Sequence, residues 1–306
     1  MPTRPKISAA IVVWNEEKTL SDCVKTLSFV DELVIVDNQS TDDTFKIAKS
    51  LTDKVYRYKN VGYVEPVRNF AISKTTGDWI LVIDPDERIP NTLAKELVNL
   101  TKEDKVDYVR IPRQNIIFDN WMEHSRWWPD YNIRFFKKGC VTWQDAIHSI
   151  PITTGRGHDL PSQKEFSLTH YHYKTVDEYL SKLIRYTNQQ SSELISQGYK
   201  FNSTDLLSKP ISEFLSRYFA GEGYKDGLHG LSLSLLQAFS QLVIHLKVWQ
   251  SEGFKSDKDL FYSQSFKKGV IAKFKEFKFW VYTVNIHLDT SKLHRFVFKL
   301  KRKLFS

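Results

Sequence analysis

Cysteine is scarce: Cys23 and Cys140 are the two in 306 residues, too few for a disulfide framework. Both sit among apolar or aromatic neighbours, which reads as two core thiols in a reducing compartment. Long apolar runs are missing too. No stretch reaches about 18 residues without a polar interruption, so no transmembrane helix is expected. The N-terminal stretch MPTRPKISAAIVVWNEE has a short apolar run ended by Asn15 and two glutamates, without the h-region and cleavage site of a signal peptide. Neither a GxGxxG nor a P-loop lysine motif follows that run, which argues against a dinucleotide cofactor and against a P-loop NTPase. Internal repeats, low-complexity tracts and recognisable nucleic-acid-binding motifs are absent as well.

What is present is enough apolar material, 41% of residues with 14% aromatic, for one large domain plus an appendage, or for two domains. The formal net charge of +8 is local. Residues 255–306 hold 13 Lys/Arg against 4 Asp/Glu, a balance of +9, so the rest of the chain is near neutral. In that tail the cations alternate with Phe, Trp, Val and Leu, as in FWVYTVNIHL and FVFKLKRKLFS. The mixture suits an anionic membrane surface; a solvated face is the plainer alternative.

Apolar and helical patterns alternate along the first hundred residues. ISAAIVVW (7–14), ELVIVDN (32–38), KVYRY (54–58) and DWILVID (78–84) read as strands, the longer ones buried on both faces. EEKTLSDCVKTLSFV, STDDTFKIAKSL, VEPVRNFAISKT and NTLAKELVNLT read as the helices between and after them. Ser40 or Thr41 is the expected N-cap of the second, and Asn91 caps the fourth. Such alternation predicts parallel strands with right-handed crossovers. Beyond about residue 105, DYVRIPRQNIIF, NIRFFKKGCVTW and EFSLTHYHY read as further strands. Helices then dominate, LHGLSLSLLQAFSQLVIHLKVWQ (228–250) being the longest. The expected division is an α/β domain over 1–173, split into a nucleotide-binding half (1–104) and an acceptor-side half (105–173), followed by a helical, basic region over 174–306.

Acids end the apolar strands. Asn15 and Glu16 follow the first, Asp37 ends the second, and Asp84, Asp86 and Glu87 follow the fourth. An open parallel sheet binds ligands beyond the carboxyl ends of its strands, so these groups should meet on one edge. Neighbouring carboxylates repel each other; a hard divalent cation, Mg²⁺ or Mn²⁺, relieves that, and such ions share their shell with substrate phosphates. A nucleotide diphosphate would complete the site.

The stretches ISAAIVVWNEEKTLSDCVKTLSFVDELVIVDNQSTDDT and VRNFAISKTTGDWILVIDPDERI resemble family 2 glycosyltransferases of the GT-A fold. The likeness is close over roughly residues 5–100. It extends more loosely through YNIRFFKKGCVTWQDAIHS and HYHYKTVDEYLSKLIRYT to a branch acting in bacterial or archaeal surface-glycan assembly. NE, D-x-x-S-T-D-x-T and D-x-D-E occur in order on the expected elements. The resemblance implies an α/β GT-A fold, with a mostly parallel central sheet, flanking helices and a C-terminal helical region. It also implies roles: Trp14 to stack on the base, Asn15 and Glu16 at the ribose and base edge, Asp37 to bind the base, Arg68 near the nucleotide. Asp84 would lie near the ribose or reach the metal through water, and Asp86 would ligate the Mn²⁺ or Mg²⁺ directly, with His170 as a further candidate metal ligand or phosphate contact.

The implied reaction is inverting transfer of a sugar from a nucleotide-diphosphate sugar, UDP-sugars first, to a hydroxyl of a glycan or lipid-linked acceptor. Candidates for the general base lie in WQDAIHS, namely Asp145 and His148. Related enzymes often carry His-Glu here, whereas this chain has His148-Ser149. The Trp-rich NWMEHSRWWPDY reads as an acceptor-side wall, and YKDGLHG (224–230) as a fold or docking element. The alternatives are a nucleotidyltransferase, which would want a Gly-rich basic loop where WNEEKTL stands, and a non-catalytic glycan- or membrane-binding protein on the same scaffold. The expected location is the cytoplasm, peripheral on the inner face of the cell membrane.

Overall fold

The structure is a computed structural model that describes residues 4–59, 65–143, 151–256 and 259–305. In chain order the first half contains β1 (Ile7–Val13), α1 (Leu20–Lys25), β2 (Glu32–Asp37), α2 (Thr44–Leu51), β3 (Val55–Arg57), α3 (Glu65–Ser73), β4 (Trp79–Ile83), β5 (Glu87–Arg88) and α4 (Asn91–Leu100). Then follow β6 (Tyr108–Ile117), β7 (Asn120–Trp121), β8 (Asp130–Lys137), β9 (Val141–Thr142), β10 (Ile152–Thr153), β11 (Gly157–Asp159) and β12 (Leu168–Tyr173). The helical half comprises α5 (Val176–Ser196), α6 (Asp205–Leu215), α7 (Gly227–Ser251), α8 (Gln264–Leu288) and α9 (Lys292–Lys303). These elements form two compact units, Met1–Ile116 with Trp128–His172, and Ile117–Trp127 with Tyr173–Ser306.

The first unit is built on a sheet in the order β3-β2-β1-β4-β8-β6-β12-β5. β3, β2, β1 and β4 run parallel, with Val13 beside Asp37, Asp37 beside Arg57 and Ile11 beside Ile83. Their carboxyl ends therefore share one edge, as the strand–helix alternation predicts. β8 joins β4 antiparallel, β6 joins β8 antiparallel, and β12 pairs antiparallel with β5. The continuous apolar run of β1 is explained by burial on both faces. Ile7, Ala9, Ile11 and Val13 enter one core cluster with Leu20, Leu81, Leu93 and Leu97, while Ala10 enters another with Val36, Val67, Val82 and Phe136. Trp79 stacks on Phe135 across β4 and β8, ring centroids 4.7 Å apart. Cys23 is fully buried, as its neighbours suggest, and burial pushes its thiol far up; Cys140 is partly exposed.

Four local readings change, the first being that Asn91 is the opening residue of α4 and not its cap, which is Pro90. The run NIRFFKKGCVTW is not one strand: it turns at Gly139 (φ +90°) into β9, a left-handed position that suits glycine. Glu165 and Phe166 belong to a short 3-10 turn ahead of β12. Ser40 and Thr41 do not cap α2, whose N-cap is Asp43; they bind Asn15 instead.

In the second unit α5 begins at Thr175, whose side chain accepts from the Glu178 N–H at 3.1 Å, while the Glu178 carboxylate accepts from the Lys174 N–H at 2.8 Å. α7 packs against α5 and α6, with Leu233, Ser234, Ile244 and Val248 buried and Gln237 donating to the Tyr179 hydroxyl at 2.7 Å. The Trp-rich segment contributes Met122, fully buried beside Tyr173, Tyr179 and Leu183. Within YKDGLHG, Asp226 accepts from the His124 backbone N–H at 2.9 Å and pairs with its ring at 2.7 Å. Residues Gly223–Ser251 have the length and mean hydropathy (1.3) to cross a bilayer, although no such stretch is expected from apolar runs alone. Serines, Gln237 and His245 interrupt that stretch, and the buried side of α7 serves the unit's own core.

Candidate active site

The site starts from the loops after β1 and β2, which are tied together. Asn15 and Gln39 both adopt left-handed backbone conformations (φ 55° and 60°), uncommon for non-glycine residues. The Asn15 side-chain oxygen accepts from the Thr41 N–H at 2.8 Å, and the Asn15 N–H donates to Ser40 Oγ at 3.0 Å. Glu16 donates its backbone N–H to Thr44 Oγ1 at 2.7 Å, and its carboxylate accepts from the Thr19 hydroxyl. The motif NE thus closes onto STDDT, which fixes Trp14, half exposed, at the mouth of β1.

Asp37 ends β2 fully buried. One carboxylate oxygen accepts from the Ser40 N–H at 3.1 Å. The other, Oδ2, makes no hydrogen bond. Arg57 Nε stands 3.5 Å from it, close enough for charge attraction but too poorly placed to donate, and the Arg57 guanidinium lies over the Phe45 ring instead. A buried carboxylate oxygen without a donor is costly.

Asp84 and Glu87 offset their mutual repulsion by recruiting arginines. Arg68 of α3 binds both oxygens of Asp84, at 2.9 and 3.1 Å. Arg134 of β8, nearly fully buried, bridges Asp84 and Glu87, its contact with Glu87 being 2.7 Å. Arg113 of β6 reaches Glu87 at 3.5 Å and Asp130 at 2.6 Å. Burial alone would raise the Asp84 carboxyl, but Arg134 and Arg68 hold it far below the usual carboxylate range. Burial likewise opposes the charge on Arg134, and Asp84 and Glu87 overcome it, raising the guanidinium further. Glu87 is therefore a structural counter-charge: it is fully buried and accepts from the Asp84 N–H at 3.0 Å. These guanidinium partners, rather than a cation alone, relieve the acid cluster.

Asp86 stands apart from that clamp. Its Oδ2 lies 3.5 Å from His170 Nε2, and its carbonyl accepts from the Tyr171 N–H at 2.9 Å. His170 is 5% exposed, stacks on His172 at 4.6 Å, and has Nδ1 against Asn115 Oδ1 at 2.6 Å. The contact with Asn115 orients the ring so that Nε2 faces the Asp86 carboxylate. One oxygen and one nitrogen donor thus face a common point. Among the described residues no group of three or more His, Cys, Asp or Glu side chains is placed to hold a metal ion. A divalent cation here would take two protein ligands, which fits one that completes its shell with water and phosphate oxygens.

The structure thus brings Asn15, Glu16 and Asp37 together at the β1–β2 end, Arg68 with Asp84, and Asp86 with His170. Asp145 and His148 fall outside the described residues. Sequence reasoning missed Arg134, Arg113, Asn115 and Asp130. A signal existed: a charged residue amid NIRFF and the RQN inside an apolar strand are out of place unless paired in the interior.

A parallel sheet with its carboxyl ends on one edge, extended by antiparallel β8 and β6 that carry arginines to an acid cluster, is the GT-A fold. The model of glycosyl transferase family 2 matches residues 8–156; the chain carries a family 2 glycosyltransferase domain and is a glycosyltransferase. A Rickettsia typhi protein named as an uncharacterized glycosyltransferase is 29% identical over 249 residues, 78% of this chain and 85% of that protein. A lipopolysaccharide core biosynthesis glycosyltransferase, LpsC of Rhizobium meliloti, is 24% identical, covering 82% of this chain and 94% of its own length. Among solved structures, glucosyl-3-phosphoglycerate synthase from Mycobacterium tuberculosis, crystallised with Mg²⁺ and UDP, aligns at 24% identity with a TM-score of 0.32, over 36% of this chain and 44% of that one.

Proposed function

We propose that this glycosyltransferase moves a sugar, with inversion, from a nucleotide-diphosphate sugar, UDP-sugars first, to a hydroxyl of a glycan or lipid-linked acceptor, assisted by Mn²⁺ or Mg²⁺. The observation that carries the reading is the Asp86–His170 pair, an oxygen and a nitrogen donor 3.5 Å apart whose ring is oriented by Asn115. Trp14 supplies an exposed ring for the base. The unbonded Asp37 Oδ2 accepts an N–H of that base, and Asn15 and Glu16 line the ribose side. Arg134 and Arg68 hold Asp84 ionised against its burial, so the carboxylate stays an acceptor for a ribose hydroxyl at neutral pH. Asp86 and His170 hold the cation, which when bound offsets charge on the departing diphosphate. The acceptor proton needs a base, and Asp145 or His148 is the proposed one. LpsC, named for lipopolysaccharide core biosynthesis, supports a surface-glycan acceptor; the proposed place of action is cytoplasmic and membrane-peripheral.

The deciding test is a melting-temperature screen of nucleotides and nucleotide sugars with and without Mn²⁺, followed by mass spectrometry of reaction products. Binding only to the native state raises stability, so UDP with Mn²⁺ should stabilise the protein and Asp86→Ala should abolish the metal-dependent part. A shift that ignores metal, or a purine nucleotide preferred over UDP, overturns the corresponding half of the reading.

A further inference from the structure

Helix α9 carries two different faces. Phe298, Arg302 and Phe305 turn toward α8: Phe298 and Phe305 stack on Tyr282 at 6.2 and 5.9 Å, and Arg302 lies over Phe279 at 5.7 Å. Lys278 sits over Phe305 at 5.1 Å, so the two helices run antiparallel. The opposite face is apolar and uncovered. Leu293, Phe296, Val297, Leu300 and Leu304 recur at the helical spacing of three and four residues, and their exposures run from 37% at Val297 to 75% at Leu304. A soluble helix that hides its second face in a core does not also expose such a stripe. Cations border it on both sides at the same spacing. Lys301 lies along one flank, and Lys292, Lys299 and Lys303 along the other, all exposed. On α8, at i−4 and i−7 from Lys278, Phe274 (68% exposed) and Ile271 (57% exposed) are uncovered as well.

We propose that this face of α9, extended by Phe274 and Ile271 of α8, docks on an anionic lipid bilayer, lying in the plane of the interface. The apolar stripe enters the acyl boundary while the flanking lysines meet phosphate headgroups. A second copy of the chain is the poorer occupant, because two such faces would bring the same rows of lysines together. The surface deepens the reading of a membrane-borne acceptor, and the two fail separately: vesicle binding needs no donor, and donor binding needs no vesicle.

The experiment is co-sedimentation of the full chain with vesicles of phosphatidylcholine alone and with vesicles in which about a third of the lipid is phosphatidylglycerol. Two double variants, Phe296→Ser with Leu300→Ser and Lys299→Glu with Lys303→Glu, go beside it. All sites are exposed, and circular dichroism together with the nucleotide melting shift checks that both variants are folded. The expected result is binding to the anionic vesicles only, weakened roughly tenfold or more in each variant and by high salt, with slowed amide exchange in α9 when vesicles are added. Failure of the parent chain to sediment with anionic vesicles, unchanged binding by either folded variant, or a dimer in ultracentrifugation that the serine variant dissolves without any vesicle binding would each overturn the proposal.

Discussion

Arg134 is the residue on which the acid edge depends. A guanidinium 3% exposed in mid-strand is tolerable only because Asp84 and Glu87 bracket it. Removing it leaves Glu87 fully buried, with the Asp84 N–H at 3.0 Å and Arg113 at 3.5 Å as its remaining partners. Arg134→Met should therefore cost about 3–5 kcal/mol in denaturant unfolding, as broken buried pairs do. Adding Glu87→Gln to it should recover part of that loss, since the stranded charge goes with it. Asn115 acts at one remove. Its oxygen fixes the His170 ring, so Asn115→Ala should lower stability without ligand by about 1–3 kcal/mol, the cost of stranding the buried ring nitrogen. On the proposed metal reading it should also raise the Mn²⁺ concentration needed for UDP stabilisation by about tenfold, the size typical of partners behind a ligating histidine. A melting titration with Mn²⁺ at fixed UDP reads both effects.

Among the elements, β2 is held at its start by Glu32. Its carboxylate accepts from the Ser8 hydroxyl of β1, from Lys54 before β3, and from the Thr76 N–H and hydroxyl ahead of β4, the last two at 2.7 and 2.9 Å. Burial pushes the Glu32 carboxyl up, yet Lys54, Ser8 and Thr76 outweigh it and bring it down to about 2. A folded value below the unfolded one means stability that is present above about pH 4.5 and drains as pH falls toward 2. Glu32→Gln should thus lower stability by at most about 3 kcal/mol at neutral pH, and the gap to the parent should close between pH 4.5 and 2 in acid unfolding curves. Gly230 marks a second element contact: a Cβ there would come 1.8 Å from the Gly223 carbonyl oxygen. Gly230→Ala should destabilise the helical unit by about 1–3 kcal/mol, the cost of overpacking, visible in loss of helical ellipticity on heating. At this scale the sequence was most legible where one pattern ruled. β1, β2 and β4 read as buried strands because mainly apolar side chains fit between two layers. The break at Gly139 was hidden because both halves of NIRFFKKGCVTW are β-prone, and Ser40 and Thr41 passed for caps because the same hydroxyls serve a loop-to-loop bond to Asn15 equally well.

For the whole molecule, the strand-end acids were legible because parallel topology forces their convergence, whereas the arginines that neutralise them come from β6 and β8, tens of residues later. Only the three-dimensional pairing of Arg113 with Asp130 and of Arg134 with Asp84 reveals them. The basic surplus was legible as composition, but its division into one face against α8 and one face open required the fold. That division separates two kinds of electrostatics. The acid–arginine clamp is buried and little screened, while the lysines of α9 stand in solvent, where attraction fades over about 8 Å at physiological salt. Hydrolysis of the sugar nucleotide, with water as acceptor, and transfer to an acceptor embedded in anionic vesicles should then respond differently to ionic strength. Raising salt from about 0.05 to about 0.5 M should leave hydrolysis within about twofold but depress vesicle-borne transfer several-fold. The Lys299→Glu, Lys303→Glu variant should show the depressed transfer already at low salt, with hydrolysis intact. Parallel decline of both activities would instead place the salt-sensitive charges at the donor site.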